Sequence, residues 1–305
     1  MVYHEIRKIN GKLQNYLVYN RRKNGKWIKK SRFIGSGKLS PFQISKLKKQ
    51  FEKDLILKKQ YLHMISSQVR KIEEMKQKYI DKTKKLSKQE FEKLREAFFT
   101  ELTYDSNAIE GNSLSLEETS LIINEKIVPE GKTIREIHEA KNHATALKFL
   151  EDYRGDLNEE LILKLHSIIL KTISDRFAGK YRKNSVRISG STFKPPEPEK
   201  VPQLIRNLIY WYKKNKKQHH QFELAVITSM KFVTIHPFID GNGRVSRLLM
   251  NFLLRKKNYP LINIYNKYRQ KYLQAVRKAN DSDYSLIFPL LIKILEQNLK
   301  EFNIK

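Results

Sequence analysis

The chain has 305 residues, which fits one large domain or two to three small ones, and it contains no cysteine, which excludes disulfides, cysteine-ligated zinc and thiol catalysis. No stretch approaches the ~18 apolar residues of a membrane span, and the N-terminus lacks the apolar centre of a signal peptide, so we expect a cytoplasmic protein that enters no membrane. The net charge of +29 divides into +18 in residues 1–100, −2 in 101–200 and +13 in 201–305. A basic first third is typical of nucleic-acid binding and also of an ordinary lysine-rich surface, and both interpretations stay open.

The first 40 residues predict a small, basic β meander. Asn10-Gly11 and Asn24-Gly25 each fit the two positive-φ positions of a tight type I′ hairpin turn. The segments around these turns are rich in β-branched and aromatic residues, and the predicted strands are Tyr3–Ile9, Leu13–Arg21 and Lys26–Ile34. The sequence assigns no role to this module.

Residues 41–87 predict one long charged helix or a helical hairpin that connects this module to the rest of the chain. Ser40-Pro41 is a helix start signal, and neither glycine nor a further proline follows as far as Thr83. Leucine, isoleucine and methionine recur there at helical spacing.

From Ser87 onward the chain predicts one helix after another, so the fold class is mainly α. We divide this part into a helical region, 88–157, and a core, 158–300. Gly179–Thr192 breaks the rhythm, because apolar and polar residues alternate there between glycines; it predicts a β-hairpin, which we name the flap. The predicted helices are 88–108, 115–125, 133–153, 158–174, 198–215, 221–236, 242–257, 266–279 and 283–301.

The most informative run is residues 236–247, HPFIDGNGRVSR. Pro237 must end the apolar helix before it, and two glycines open a new helix after it. Free N–H groups at such a helix start converge on an anion, and two arginines three residues apart add forked contacts to phosphate. An acid beside a phosphate suits Mg²⁺, and a histidine that is neutral at pH 7 can accept a proton. The run predicts a nucleotide-phosphate cradle with a metal ligand, Asp240, and a base, His236.

The same run resembles the signature of the Fic (Fido) family, HPFx[D/E]GNGRxxR, at every specified position. Members of that family transfer AMP from ATP to a Ser, Thr or Tyr hydroxyl of a target protein. The resemblance implies that His236 is the catalytic base and that Asp240 holds Mg²⁺, or Mn²⁺ in its place. It also implies an ATP site that includes Asp240, Gly241, Asn242, Gly243, Arg244, Val245, Ser246 and Arg247.

A second match lies at residues 106–112, SNAIEGN, which resembles the family's inhibitory motif [S/T]xxxE[G/N]. Its place before the catalytic run is that of the family's second class. The resemblance implies that Ser106 and Glu110 are inhibitory, and that Glu110 competes with the γ-phosphate of ATP for Arg247.

The flap is similar to the β-hairpin flap of the family, and the resemblance implies that a target protein docks on it. Near the C-terminus, Leu273 stands where some relatives have a second tyrosine. The resemblance extends the ATP site to Ile188, Ser189, Gly190 and Ser191 in the flap and to Tyr272, Leu273 and Asn280 on the adenine side.

We therefore predict a Fic-type helical domain with a flap, preceded by a small three-stranded β module and a long helix. The predicted function is ATP- and Mg²⁺-dependent AMP transfer to a protein, autoinhibited by Glu110. Removal of AMP, or another phosphate-type transfer on the same scaffold, is the first alternative. A nucleic-acid-binding regulator acting through residues 1–87 is the second, and a homo-oligomer stays open.

Overall fold

The computed structural model describes residues 2–9, 11–23, 26–56, 63–188 and 190–301 of the chain. The chain divides into two compact units, Met1–Gln60 and Tyr61–Lys305, which we call unit 1 and unit 2. The division falls inside the stretch 41–87, which the sequence predicts to be a connector. No helix in the described ranges is both long and apolar enough to cross a membrane.

Unit 1 contains a three-stranded antiparallel sheet followed by one helix, which confirms the predicted meander. Neighbouring strands pair in sequence order, with Leu17 opposite His4 on one side and opposite Arg32 on the other. Gly11 has a φ of +75°, as the predicted first turn requires, whereas Asn10, Asn24 and Gly25 lie outside the described residues. The elements are β1 (Val2–Ile9), β2 (Lys12–Lys23), β3 (Lys26–Ser36) and α1 (Pro41–Ile56).

The core of unit 1 lies between the sheet and α1. Val2, Leu17 and Phe51 are buried there, and Tyr19, Ile34 and Leu47 pack against them. Since successive side chains of a strand point to opposite faces, this core fixes which face of the sheet meets the helix.

Unit 2 is helical, as the sequence predicts. Its α-helices are α2 (Ser66–Thr83), α3 (Lys88–Ile109), α4 (Leu116–Ser120), α5 (Ile134–Asp152), α6 (Glu159–Ile169), α7 (Val201–Asn215), α8 (Gln221–Ile235), α9 (Asn242–Arg255), α10 (Arg269–Asn280) and α11 (Ile287–Glu301). Short 3₁₀ turns, Pro198–Lys200 and Asn266–Tyr268, lead into α7 and α10.

Three predicted helices differ from the observed ones. The predicted helix 115–125 begins as α4 but continues as a π-helical turn, Leu121–Glu125. The predicted helix 158–174 ends at Ile169. The last helix begins at Ile287 rather than near residue 283, because Asp283 accepts a hydrogen bond from the Ser285 N–H instead of capping the helix. Pro289 therefore falls in the first turn of this helix, where the N–H that proline lacks would have no partner within the helix.

The centre of unit 2 is the pair α8 and α9. Most residues of both helices are buried, and α3, α5, α6, α7 and α10 pack around them. Ser229 of α8 and Ser246 of α9 meet with their hydroxyl oxygens 2.8 Å apart, so small side chains let the two helices approach closely. The loop that joins this pair, 236–241, is therefore held at both ends by the most buried part of the molecule.

Candidate functional site

His236 ends α8 in a left-handed conformation. Its φ is 50° and its ψ 58°, and its N–H donates to the Phe232 carbonyl at 3.2 Å. Pro237 follows and prevents the helix from continuing. This turn directs the chain into the loop that leads to α9.

The imidazole of His236 is neutral at pH 7. Burial lowers its pKa to about 4, and the nearby Arg182 acts in the same direction, while the Val233 carbonyl and the carboxylate of Glu110 act against it. Its Nδ1 atom is buried and has no hydrogen-bond partner within the described residues. A buried neutral imidazole with an unused ring nitrogen can accept a proton from a substrate hydroxyl.

Phe238 anchors the loop in the core. It is fully buried, and its ring stacks on the imidazole of His166 with centroids 3.6 Å apart. The side chain of Asn242 closes the loop, because it accepts from the Phe238 N–H at 3.0 Å and donates to the Phe238 carbonyl at 2.8 Å. Asn242 thus fixes the shape of the loop with its side chain and leaves its own N–H to the helix start.

His166 is a positioning residue that the sequence did not single out. Its Nδ1 accepts from the Gly179 N–H at 3.0 Å, so Nε2 carries the proton and donates to the Asp240 carbonyl at 3.1 Å. Burial lowers its pKa to about 4, which keeps this tautomer neutral. His166 thereby joins the base of the flap to the loop, but in the sequence it is only one more residue on the apolar side of a helix.

The start of α9 has the features of an anion site. Gly241 caps the helix with a φ of +78°, and an added Cβ would lie 3.3 Å from Ile169, so this position requires glycine. The first N–H groups of any helix lack partners within it, and no acidic residue lies in the first turn of α9. The partial positive charge of the helix dipole therefore adds to that of the unpaired N–H groups in the first turn, and no carboxylate of that turn offsets it.

Arg244 is buried behind this helix start in a chain of opposite charges. Its Nη1 lies 3.2 Å from Glu139, and its Nη2 lies 3.4 Å from Asp240. Arg135 bridges the same two acids from α5, at 3.2 Å from Glu139 and 2.6 Å from Asp240. Arg244 and Arg135 are the main opposite charges that hold the pKa of Asp240 below its ordinary value against the effect of burial. Nothing in the sequence indicated that α5 supplies Glu139 and Arg135 to this site.

Glu110 and Ser106 both contact Arg247. The Glu110 carboxylate lies 2.9 Å from Nη2 of Arg247, whose side chain is only 4% exposed. Arg247 also donates from Nε to the Ser106 hydroxyl at 3.0 Å and from Nη2 to the Ser106 carbonyl at 2.7 Å. The structure therefore brings together three residues that the inhibitory motif and the catalytic run supply from distant parts of the sequence.

The Glu110 carboxylate occupies the space directly over Gly243. A Cβ added to Gly243 would lie 2.1 Å from Oε1 of Glu110 and 3.1 Å from Nη1 of Arg247. Only glycine lets an acid come this close to the helix start. The carboxylate thus fills the space between the start of α9 and Arg247.

The C-terminal end of α3 carries Glu110 and is fixed from two sides. Asp105 accepts hydrogen bonds from the Asn263 side chain at 2.6 Å and from the Asn266 N–H at 2.7 Å. Arg269 donates to the Ile109 carbonyl at 2.7 Å. These bonds fix the backbone before Glu110, while the Glu110 side chain is 37% exposed.

The flap is not a β-hairpin in the described residues, and that prediction is wrong. Residues 179–188 and 190–192 form turns and extended chain without a strand ladder. Arg182 instead fixes the flap to the body of unit 2: its N–H donates to the Pro237 carbonyl at 3.0 Å and its Nε to the His236 carbonyl at 2.8 Å. Pro195 and Pro196 follow the flap and have no N–H groups, so no ladder can extend through them.

The other predicted ATP-site residues lie in different surroundings. Ile188 and Ser191 form a turn, with the Ser191 N–H donating to the Ile188 carbonyl at 3.1 Å; Gly190 lies in that turn and Ser189 lies outside the described residues. Tyr272 is buried, which raises its pKa, and Arg247 and Glu110 lie near enough to affect that pKa, so Tyr272 lies beside the contact of Glu110 with Arg247 rather than on an open surface. Leu273 and Asn280, the other two residues of the predicted adenine side, are half-buried. The Asn280 side chain accepts a hydrogen bond from the Thr234 hydroxyl at 3.0 Å.

The described part of the chain contains no cluster of three or more side chains of His, Asp or Glu that could hold a metal. Asp240 is a single carboxylate, and its Oδ2 is engaged by Arg135. Mg²⁺ commonly uses one or two carboxylates and takes its other ligands from phosphates and water. The donor set therefore fits Mg²⁺ only together with a nucleotide.

Residues 156–254 match the sequence pattern of the Fic/DOC family. The chain is 34% identical over 193 residues to the protein adenylyltransferase Fic of Drosophila yakuba, which covers 62% of the chain and 38% of that relative. It is 31% identical over 214 residues to the protein of the same name from Nematostella vectensis, covering 68% of the chain and 49% of the relative. The chain thus spans less than half the length of these relatives.

Solved structures of related proteins have the same fold. A Fic domain containing signaling protein from Bacteroides thetaiotaomicron superposes with a TM-score of 0.69 at 26% identity, over 75% of this chain and 94% of that one. A fragment of Fic-1 from C. elegans superposes with a TM-score of 0.68 at 24% identity, over 86% of this chain and 74% of that one, and shows the fold alone. The sequence match and the shared architecture agree: residues 156–254 of this chain form a domain of the Fic/DOC family.

Proposed function

We propose that this chain transfers AMP from ATP to a Ser, Thr or Tyr hydroxyl of a target protein, and that Glu110 restrains the reaction by holding Arg247. The observation that carries the proposal is the Glu110 carboxylate 2.9 Å from Arg247, seated over Gly243 at the start of α9. An acid in that place imitates a phosphate oxygen. The names of the relatives, which are protein adenylyltransferases, support the same activity.

In the proposed reaction the target hydroxyl oxygen bonds to the α-phosphorus of ATP, and the bond from that phosphorus to the β-phosphate oxygen breaks. Pyrophosphate leaves, and the hydroxyl proton passes to His236. A hydroxyl is a weak nucleophile until a base takes its proton, and the buried neutral imidazole of His236 suits this role. The loop bonds from Asn242 and His166 position the imidazole, since they fix the chain on its C-terminal side.

The phosphates of ATP would lie at the start of α9, where the N–H groups of the first turn and two arginines meet. Arg244 is fully enclosed and held by Glu139, so it supplies a fixed positive charge. Burial, and after it the positive charges of Arg247 and Arg244, lower the pKa of the neighbouring His143 to about 3. Preorganised charge of this kind stabilises the charge that develops in phosphate transfer.

Asp240 would hold Mg²⁺, which neutralises phosphate charge when it is bound. Arg135 must first release the Asp240 carboxylate, because its guanidinium contacts Oδ2 at 2.6 Å. Arg135 is 59% exposed and keeps Glu139 as a second partner, so it can move without leaving a buried charge unpaired. Mn²⁺ would suit the same donor.

The flap would present the target segment beside His236. Arg182 ties the first part of the flap to the carbonyls of His236 and Pro237, so a segment bound there lies beside the base. In the described residues the flap has no internal ladder, which leaves its backbone groups available for pairing with an extended segment.

The test uses the full chain with ATP labelled at the α-phosphate or at the γ-phosphate, and it scores the label on protein. We expect the α-label to transfer, more strongly in Glu110→Gly, and no transfer in Glu110→Gly combined with His236→Ala. Transfer of the γ-label alone would replace the proposal with phosphorylation. Release of AMP from a premodified protein, without any transfer from ATP, would replace it with the reverse reaction.

A further inference from the structure

The positive charge of the chain is concentrated in unit 1. Its 60 residues contain 17 Lys and Arg against 3 Asp and Glu, a net charge of +14, whereas the 245 residues of unit 2 carry +15. The charge per residue is therefore about four times higher in unit 1, a clustering typical of nucleic-acid binding. A uniform preference for lysine along the chain would have given equal densities.

The face of the sheet opposite α1 combines basic and aromatic side chains around Val18, which is itself fully buried. The register places Glu5, Tyr16 and Phe33 side by side across the three strands, on the face opposite the buried Leu17. The guanidinium of Arg7 lies 4.1 Å from the centre of the Tyr16 ring, and the rings of Tyr16 and Phe33 meet edge to face at 5.6 Å. Phe33 is half-exposed, so this cluster is a surface rather than part of the core.

A single acid on this face is shared by two cations. Glu5 pairs with Arg7 at 2.8 Å and with Lys29 at 3.1 Å, which lowers the pKa of Glu5 and leaves a net positive charge. These pairs hold the two cations over the sheet instead of letting them extend freely into solvent. Held cations lose less conformational entropy when they bind phosphates.

We propose that this face of the sheet, which we name the basic sheet face and define by Arg7, Tyr16, Lys29 and Phe33, binds duplex DNA. Three strands at a spacing of about 4.8 Å place the outer two roughly 10 Å apart, and the major groove of B-DNA is about 12 Å wide. The helix α1 covers the opposite face, so the sheet can enter the groove with this face forward. The major groove of duplex RNA is deep and narrow and would exclude it.

The experiment measures fluorescence anisotropy of a labelled DNA duplex of about 30 base pairs with the full chain, between about 50 and 200 mM salt. The test variant is Arg7→Gln with Lys29→Gln. The matched control is Lys46→Gln with Lys49→Gln, which removes two exposed charges from α1. The charge-preserving exchange Arg7→Lys with Lys29→Arg, together with thermal unfolding of each variant, separates loss of binding from loss of fold.

We expect the wild type to bind with a steep salt dependence. If each of the two cations contributes one phosphate contact, the slope of log K against log salt concentration becomes shallower by about 2 in the test variant. Its affinity at 0.1 M salt falls by roughly 60-fold. The control and the charge-preserving exchange should keep nearly the wild-type affinity.

Three results would overturn the proposal. They are undetectable binding at the lowest salt, an equal loss in the test and control variants, and tighter binding of duplex RNA or of phosphatidylserine vesicles at the same salt. None of these results bears on AMP transfer, which the labelled-ATP assay tests separately.

Discussion

Replacing Glu110 by glycine should raise the rate of the proposed AMP transfer, and the contact between Glu110 and Arg247 gives the expected size of the effect. Arg247 is almost fully buried, but the Glu110 side chain is 37% exposed, so water screens the pair. A charged hydrogen bond contributes about 1.5–3 kcal/mol when it is well enclosed, and this exposure favours the lower end, about 1.5–2 kcal/mol. If the contact between Glu110 and Arg247 must break before ATP binds productively, only the molecules without this contact can react. The fraction of such molecules rises by roughly 10- to 30-fold when the acid is removed.

The assay is the initial rate of transfer from α-labelled ATP at saturating Mg²⁺. Glu110→Gln keeps the shape but removes the charge, so its rate should lie between those of the wild type and Glu110→Gly. Glu117→Gln is the matched control, since Glu117 is an exposed acid on α4, and its rate should equal that of the wild type. An unchanged or lower rate for a folded Glu110→Gly protein would refute the inhibitory role of the contact.

Three further outcomes are expected. The pKa of His236 is about 4 in the folded chain and near 6.5 in the unfolded chain, so between these pH values only the unfolded chain takes up this proton. The free energy of unfolding should therefore fall as the pH drops from about 6.5 to about 4. The rate of transfer should stay level from about pH 8 to 6 before it declines, and a midpoint near pH 6.5 in the rate would contradict this. Asn242→Ala leaves the buried N–H and carbonyl of Phe238 without partners and should cost about 2 kcal/mol in urea unfolding; a loss below ~0.5 kcal/mol would show that the loop does not depend on this clamp. Arg135→Gln frees Asp240 and should tighten Mn²⁺ binding in the presence of ATP, measured by electron paramagnetic resonance; weaker binding would mean that Arg135 supports the metal site instead.

Local backbone structure could be predicted well, because its causes lie within a few residues. The two Asn-Gly pairs led to the three strands of unit 1, and apolar spacing led to α3, α5, α8 and α9 within about two residues of their ends. Alternation of apolar and polar residues also predicted a hairpin in the flap, and there it failed. Arg182 fixes that segment through bonds to the loop at 236–237, and such distant partners leave no trace in a local pattern.

The assembly of the candidate site depended on packing between distant elements. The sequence by itself determined that a turn with two glycines lies between a histidine and the start of a helix. Glycine, proline and the spacing of apolar residues decide such features because they affect only the backbone of neighbouring residues. Only the tertiary structure decided that α3 places the Glu110 carboxylate over Gly243, that α5 supplies Arg135 and Glu139, and that α6 supplies His166 beneath the loop. These contacts join residues far apart in the chain, and they exist because α3, α5 and α6 bury their apolar faces against one another and against α9.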